Sequence, residues 1–157
     1  MRTSRYSKVM KLETVLVPVG SDDKNNLPDL LSPVIGVAGP ANAKVIVYFM
    51  LDQEEYNELE EKMGIKDEGI LPEDLAVRDE MIDEIGDLLE SNDISYEIEA
   101  EIGEESEHVL NILEQREVDL VIIGGKPQSP ARKAFFGNFA QNILINASCP
   151  TTYVTYE

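Results

Sequence analysis

Tryptophan is absent, cysteine and histidine occur once each, and aromatic residues make up 6% of this 157-residue chain. A lone Cys149 excludes an internal disulfide framework and any multi-cysteine metal site. Long apolar runs are also missing: the stretch from Val45 to Leu51 falls far short of the roughly 20 residues that a membrane span needs. The start, Met1-Arg2-Thr3-Ser4-Arg5, is basic but no extended apolar segment follows it, so a secretory signal is not expected and a soluble cytoplasmic protein is. Positive charge is scarce, with 13 Lys and Arg against 31 Asp and Glu and a net charge of −18. So negative a body repels a phosphate backbone, which argues against nucleic acid as a partner. The same acidity suits a halophilic, high-salt cytoplasm, although acidic proteins also come from ordinary cells.

At about 100–200 residues per domain, residues 1–157 read as one domain. A chain of this size buries about 70% of its unfolded surface, enough for a core without staples. Residues 1–10 read as flexible and 52–70 as a variable acidic connector. Acid is unevenly spread: 23 of the 31 acids lie between Asp52 and Glu107, and none lies between Leu120 and Tyr156, where Lys126, Arg132 and Lys133 are basic. The acid-free tract reads equally as a seat for an anion or as core and interface, where charge is scarce anyway.

The hydrophobic pattern alternates strand and helix. Leu12 to Val19 is a strand rich in β-branched residues, followed by a polar turn over Ser21 to Asn26. Leu27 to Ala38 reads as a poor helix, interrupted by Pro28, Pro33 and Gly36, with Ser32 capping a start at Pro33 and Gly39-Pro40 breaking the chain. Lys44 to Leu51 is apolar almost throughout, as befits a parallel strand covered on both faces. Pro72 to Glu90 reads as a helix, with Leu75, Ile82, Ile85 and Leu89 on one face and a solvated acidic stripe opposite. From Ile94 to Ile102, Tyr96, Ile98, Ala100 and Ile102 alternate with Glu97, Glu99 and Glu101, the pattern of an edge strand with one wet face. A helix from Glu104 to Arg116, a strand from Val118 to Ile123 ending in Gly124-Gly125, a helix ending near Asn146 and a last strand, Thr151 to Tyr156, complete the order. This alternation predicts a doubly wound five-stranded parallel sheet with helices on both faces, its ligands outside the carboxyl ends of the strands.

The most informative stretch runs from Ile122 to Gln141. Gly124 and Gly125 follow a strand, Lys126 adds charge, and Gly137 precedes a helix carrying Asn138 and Phe139. Glycines so placed let a backbone approach a phosphate. With the Asp119-Leu120-Val121-Ile122-Ile123-Gly124 strand, the Phe136 to Leu144 helix and the Cys149 to Val154 strand, the chain resembles the universal stress protein family over essentially its whole length. That resemblance implies an adenine nucleotide alpha hydrolase-like regulatory domain, homodimeric through its last strand (Thr151 to Tyr156); it permits weak nucleotide hydrolysis, but with no catalytic pair in the sequence an enzyme is not expected. It implies ATP or a related nucleotide as ligand, with any Mg2+ arriving with the nucleotide, and it also allows a dimeric interaction scaffold without a ligand. The family's nucleotide loop is Gly-x2-Gly-x9-Gly-Ser/Thr. Gly124 and Gly137 match its first and third glycines, Pro127 stands for the second, and Asn138 for the Ser/Thr. Proline lacks an N–H to donate. Met50 falls where the family's adenine-floor residue would be. The adenine-side acid falls at or beside Gly20, with Asp22 as a shifted substitute. His108, amid glutamates, reads as a surface residue and Cys149 as a structural thiol.

Overall fold

The computed structural model describes residues 9–62, 80–103, 105–126 and 137–156. In chain order they form β1 (Thr14–Val19), a 3₁₀ turn (Ser21–Asn26), α1 (Leu27–Ala41), β2 (Lys44–Leu51), α2 (Gln53–Lys62), α3 (Glu80–Glu90), β3 (Tyr96–Ile102), α4 (Ser106–Gln115), β4 (Leu120–Gly125), α5 (Gly137–Asn146) and β5 (Thr151–Thr155). All pairings are parallel and the order is β3-β2-β1-β4-β5. The expected doubly wound sheet is therefore present, and its strand order reverses between β1 and β4.

Two apolar clusters cover the sheet, one on each face. Val15, Val17, Val19, Val45, Val47 and Phe49 pack with α1 and α3, while Leu16, Ile46, Tyr48, Val121 and Ile123 pack with α4 and α5. Alternate residues of the central strands are thus buried on opposite faces, which is why those strands read as unbroken apolar runs. The flanking strand β3 keeps Glu97, Glu99 and Glu101 half-exposed, as its alternation predicts.

Helix α1 departs from expectation. It runs unbroken from Leu27 to Ala41, so Ser32 is an interior residue and not a cap, and neither Pro33 nor Gly39-Pro40 ends it. Pro28 sits in the first turn, where its missing N–H has no intrahelical partner to lose. Pro33 does lose one, at about 3 kcal/mol. Against that, Leu27, Leu30, Leu31, Val34 and Ala38 form one fully buried stripe, and each large side chain contributes about 1.5–3 kcal/mol. Packing wins. The helix ends at Asn42, whose left-handed backbone (φ 53°) directs its N–H at the Gly39 carbonyl, 3.1 Å away.

Pro18 explains where the sheet opens. Lys44 N–H donates to Glu13 O, so odd residues of β1 present their backbone to β2; Asp119 N–H donates to Thr14 O, so even residues present theirs to β4. The N–H that Pro18 lacks is therefore the next one due to β4. The β1–β4 register ends at Leu16 with Val121, whereas β1 and β2 stay paired to Val19 with Phe49. Beyond that point the tips of β1 and β4 part.

The acidic connector begins as a helix, α2, and Met63 to Gly69 lie outside the described residues. So do the first part of the helix read from Pro72 and the loop residues Pro127, Arg132 and Lys133.

Candidate functional site

Between those tips lies a cleft of about 840 Å³. It occupies the carboxyl ends of the strands where their order reverses, the place such sheets offer a ligand. Its β1 side is Pro18, Gly20 and the 3₁₀ turn; Met50, at the end of β2, adds an apolar patch. The β4 side is Ile123, Gly124, Gly125 and Lys126, and α5 contributes Gly137, Asn138, Phe139 and Ala140. The residues singled out in the sequence (Gly20, Met50, Gly124, Gly125, Lys126, Gly137, Asn138 and Phe139) are thus all brought to one cleft, from four separated parts of the chain.

Gly137 opens α5 with φ 83°, a left-handed conformation that a side chain strains. The helix therefore starts at the cleft wall, and its first N–H groups have no intrahelical acceptors. Together with the partial positive charge of a helix N-terminus and the ammonium of Lys126, they make this end suited to an anion.

Two acids of the 3₁₀ turn, Asp22 and Asp23, also line the cleft. Asp22 is exposed at the rim, while Asp23 turns inward and is buried. Asp23 N–H donates to Gly20 O at 3.0 Å, and Gly20 N–H returns a bond to Asp23 Oδ2 at 2.9 Å, which closes the turn reciprocally. The remaining oxygen, Oδ1, accepts from the Tyr156 hydroxyl at 2.8 Å. Burial pushes the Asp23 carboxyl above its ordinary range, against the opposing pull of the Gly20 amide and the Tyr156 hydroxyl. Burial and the Asp23 carboxylate raise Tyr156 in turn, so its phenol keeps the proton it donates.

Tyr156 and Tyr153 also line the cleft, and neither was singled out from the sequence. They straddle the tip of β4: a Cβ on Gly124 would collide with the Tyr156 phenol, and one on Gly125 with the Tyr153 hydroxyl. The glycine pair is thus not a simple turn. It lies inside β4, and its missing side chains make room for the rings of Tyr153 in β5 and Tyr156 just beyond it. The signal available beforehand was the pairing of the last two strands, which sets Tyr153 and Tyr156 beside the glycine tip.

Other candidates lie elsewhere. His108 bridges Glu101 (2.6 Å from Nδ1) and Glu105 (3.3 Å from Nε2) on the sheet flank. Cys149 is half-buried, and burial followed by the nearby Asp119 carboxylate raises its thiol, an inert setting. Among the described residues no group of three or more His, Cys, Asp or Glu is placed to hold a metal ion, and no helix is long and apolar enough to cross a membrane.

A five-stranded parallel sheet of this order, wound on both faces with its cleft at the reversal, is the adenine nucleotide alpha hydrolase-like class of α/β fold. Within that class, the model of the universal stress protein family matches residues 11–155, and the chain belongs to this family. Solved structures agree on the fold. A universal stress protein in complex with cAMP superposes with a TM-score of 0.64 at 13% identity, covering 94% of this chain and 99% of its own. The Archaeoglobus fulgidus universal stress protein in complex with dAMP gives 0.61 at 13%, covering 93% and 100%. An Arabidopsis thaliana family member with AMP bound gives 0.62 at 9%, covering 92% of each chain. Among curated protein sequences, none matches this chain significantly.

Proposed function

We propose that this chain is a cytoplasmic regulatory domain that binds an adenine nucleotide in the cleft between β1 and β4 and pairs with a second copy through β5. The observation that carries the reading is convergence: Gly124, Lys126, Gly137, Asn138, Met50 and Asp23 all line a single cleft. Those groups fit the parts of a nucleotide. The anionic end suits Lys126 and the start of α5. The apolar face of a base suits Met50, and its exocyclic donor suits the Asp23 side. The family neighbours bound to AMP, dAMP and cAMP support the same choice of ligand class. A nucleotide would bring its own Mg2+ if it carries one. Among the described residues of the cleft no nucleophile is paired with a base, and binding without turnover is the proposed role.

One observation favours a second reading, a dimeric scaffold without nucleotide. Tyr153 and Tyr156 already occupy the space above Gly124 and Gly125, which gives those glycines a packing role independent of any phosphate. Equilibrium dialysis with AMP and ATP separates the readings. One nucleotide per chain is expected, weakened roughly ten- to a hundredfold in Lys126→Ala by loss of a charge-assisted bond of about 1.5–3 kcal/mol. Absence of binding at millimolar nucleotide by a folded protein leaves the scaffold. Mass spectrometry of gently purified protein provides an independent check through any co-purified nucleotide.

A further inference from the structure

Asp23 is the one buried charged residue among those described, 9% exposed, and it lines the cleft. The 3₁₀ turn holds it there through the Gly20 amide on Oδ2, and Tyr156 donates to Oδ1. Both donors are uncharged, and among the described residues no cation forms an ion pair with it. The carboxylate therefore stands in the cleft without a direct counter-charge. It also stands close to the end that suits an anion. The Tyr156 hydroxyl that bonds Oδ1 lies where a Cβ of Gly124 would stand, so a single phenolic oxygen separates Asp23 from the backbone of the β4 tip. Lys126 continues from that tip, and the start of α5 lines the same cavity.

The surrounding charges do not cancel this one. On its own turn Asp22 is a like charge and Lys24 is exposed. Asp29, in the first turn of α1, acts on the Tyr156 phenol as Asp23 does, and Asp23 also acts on the Tyr153 phenol. Lys126 is the one cation lining the cleft among the described residues. An anion that enters and displaces water meets the Asp23 carboxylate at a lowered dielectric, where like charges repel more strongly than in solvent.

A proton on Asp23 removes that repulsion without undoing the turn. Oδ2 still accepts from Gly20, and with the proton on Oδ1 the Tyr156 oxygen accepts where it had donated. The phenolic proton is then free to turn toward the guest. Burial, with Asp22 adding to it, already favours the neutral carboxyl against the bonds from Gly20 and Tyr156.

We propose that the cleft takes up an anionic nucleotide together with one proton, which lands on Asp23; this rests on the nucleotide reading above. The proton comes from solvent, so pH regulates occupancy: affinity is highest in acid and falls as Asp23 ionises. Linkage makes the effect reciprocal, since a bound anion holds the proton on Asp23 to higher pH.

The test uses the full chain with cAMP as probe, because its phosphodiester keeps one charge where the phosphomonoester of AMP, with a second pKa of about 6, changes its own. Equilibrium dialysis from about pH 5 to about pH 8 is run in about 1 M KCl, where a screening length of about 3 Å silences distant acids but not a buried neighbour. Affinity is expected to be about tenfold higher at the acid end, and calorimetry in buffers of different ionisation enthalpy should register uptake of up to about one proton per cAMP. Adenosine, which carries no charge, should bind with little change over the same range. Asp23→Asn should bind cAMP with an affinity that no longer follows pH, and should take up no proton. Parent binding of cAMP that is flat with pH overturns the proposal, as does proton release. So does a slope equally steep for adenosine, which would detach it from the guest's charge, or one that persists in folded Asp23→Asn, which would place the proton elsewhere. Should that variant fail to fold, the parent's proton count and the contrast between cAMP and adenosine still decide. Failure of both ligands to bind at any pH instead overturns the nucleotide reading.

Discussion

At the residue scale the decisive group is Asp23, a carboxylate buried in an otherwise solvated acidic protein. Its pKa in the folded chain lies above the unfolded value, chiefly through burial. Its contribution to stability is therefore fully present below the unfolded carboxylate range and is lost as pH rises through the folded value. Asp23→Asn removes that titration. The difference in unfolding free energy between parent and variant should move toward the parent on acidification and toward the variant as pH rises, in urea titrations from about pH 4 to about pH 7. A difference that stays flat with pH would refute the assignment. The neighbouring prediction concerns fit. Gly124→Ala should cost about 1–3 kcal/mol by overpacking against the Tyr156 phenol. Tyr156→Phe should cost about 1.5–3 kcal/mol, since it removes a bond to a buried charged group. Because the Tyr156 hydroxyl is the atom nearest the introduced methyl, the double variant should be less destabilised than the two losses added, and a double-mutant cycle by chemical denaturation reads that difference. None of this was visible in the sequence. Asp22 and Asp23 look alike in a polar turn, and only the reciprocal bond with Gly20 turns one inward and leaves the other in water.

At the scale of elements, the strands were legible because their periodicity follows directly from burial: unbroken for β1, β2 and β4, alternating for β3. The cleft was legible for a related reason. Glycines at the tip of one strand and at the start of one helix mark where a backbone can be approached closely, and both ends of the Gly124 to Gly137 stretch reach the same cavity. Helix α1 was misread because local propensity was set against a stripe of five buried apolar residues that is worth more. That conflict persists in the folded protein and predicts a gain. Pro33→Ala should restore an interior N–H, a gain of about 3 kcal/mol, and lose about 0.4–1 kcal/mol of unfolded-state restriction, for a net stabilisation of about 2–3 kcal/mol. The thermal midpoint should rise by about 4–10 °C in a scanning calorimeter, and a fall would show that Pro33 packs better than its backbone suggests.

At the scale of the whole molecule, charge dominates. A net charge of −18 on one small body repels itself, and salt shortens the reach of that repulsion from about 30 Å at 0.01 M to about 3 Å at 1 M. The thermal midpoint should climb by several degrees between those limits in KCl, and sucrose at matched osmolality should not reproduce the whole rise. A salt-independent midpoint would mean that the acids are already neutralised by their neighbours. Some are. Lys44 and then Arg116 hold Glu97 below the ordinary carboxylate range, and Arg116 also reaches Glu99.

That row of paired glutamates has a consequence for assembly. A sheet with two bare flanks could stack copy upon copy without end, as fibrils do. Here the β3 flank carries Glu97 and Glu99, bridged to Lys44 and Arg116, and the bare flank lies at the far side of the sheet. Strand addition through the bare flank alone would therefore end at two copies, because each copy has one such flank.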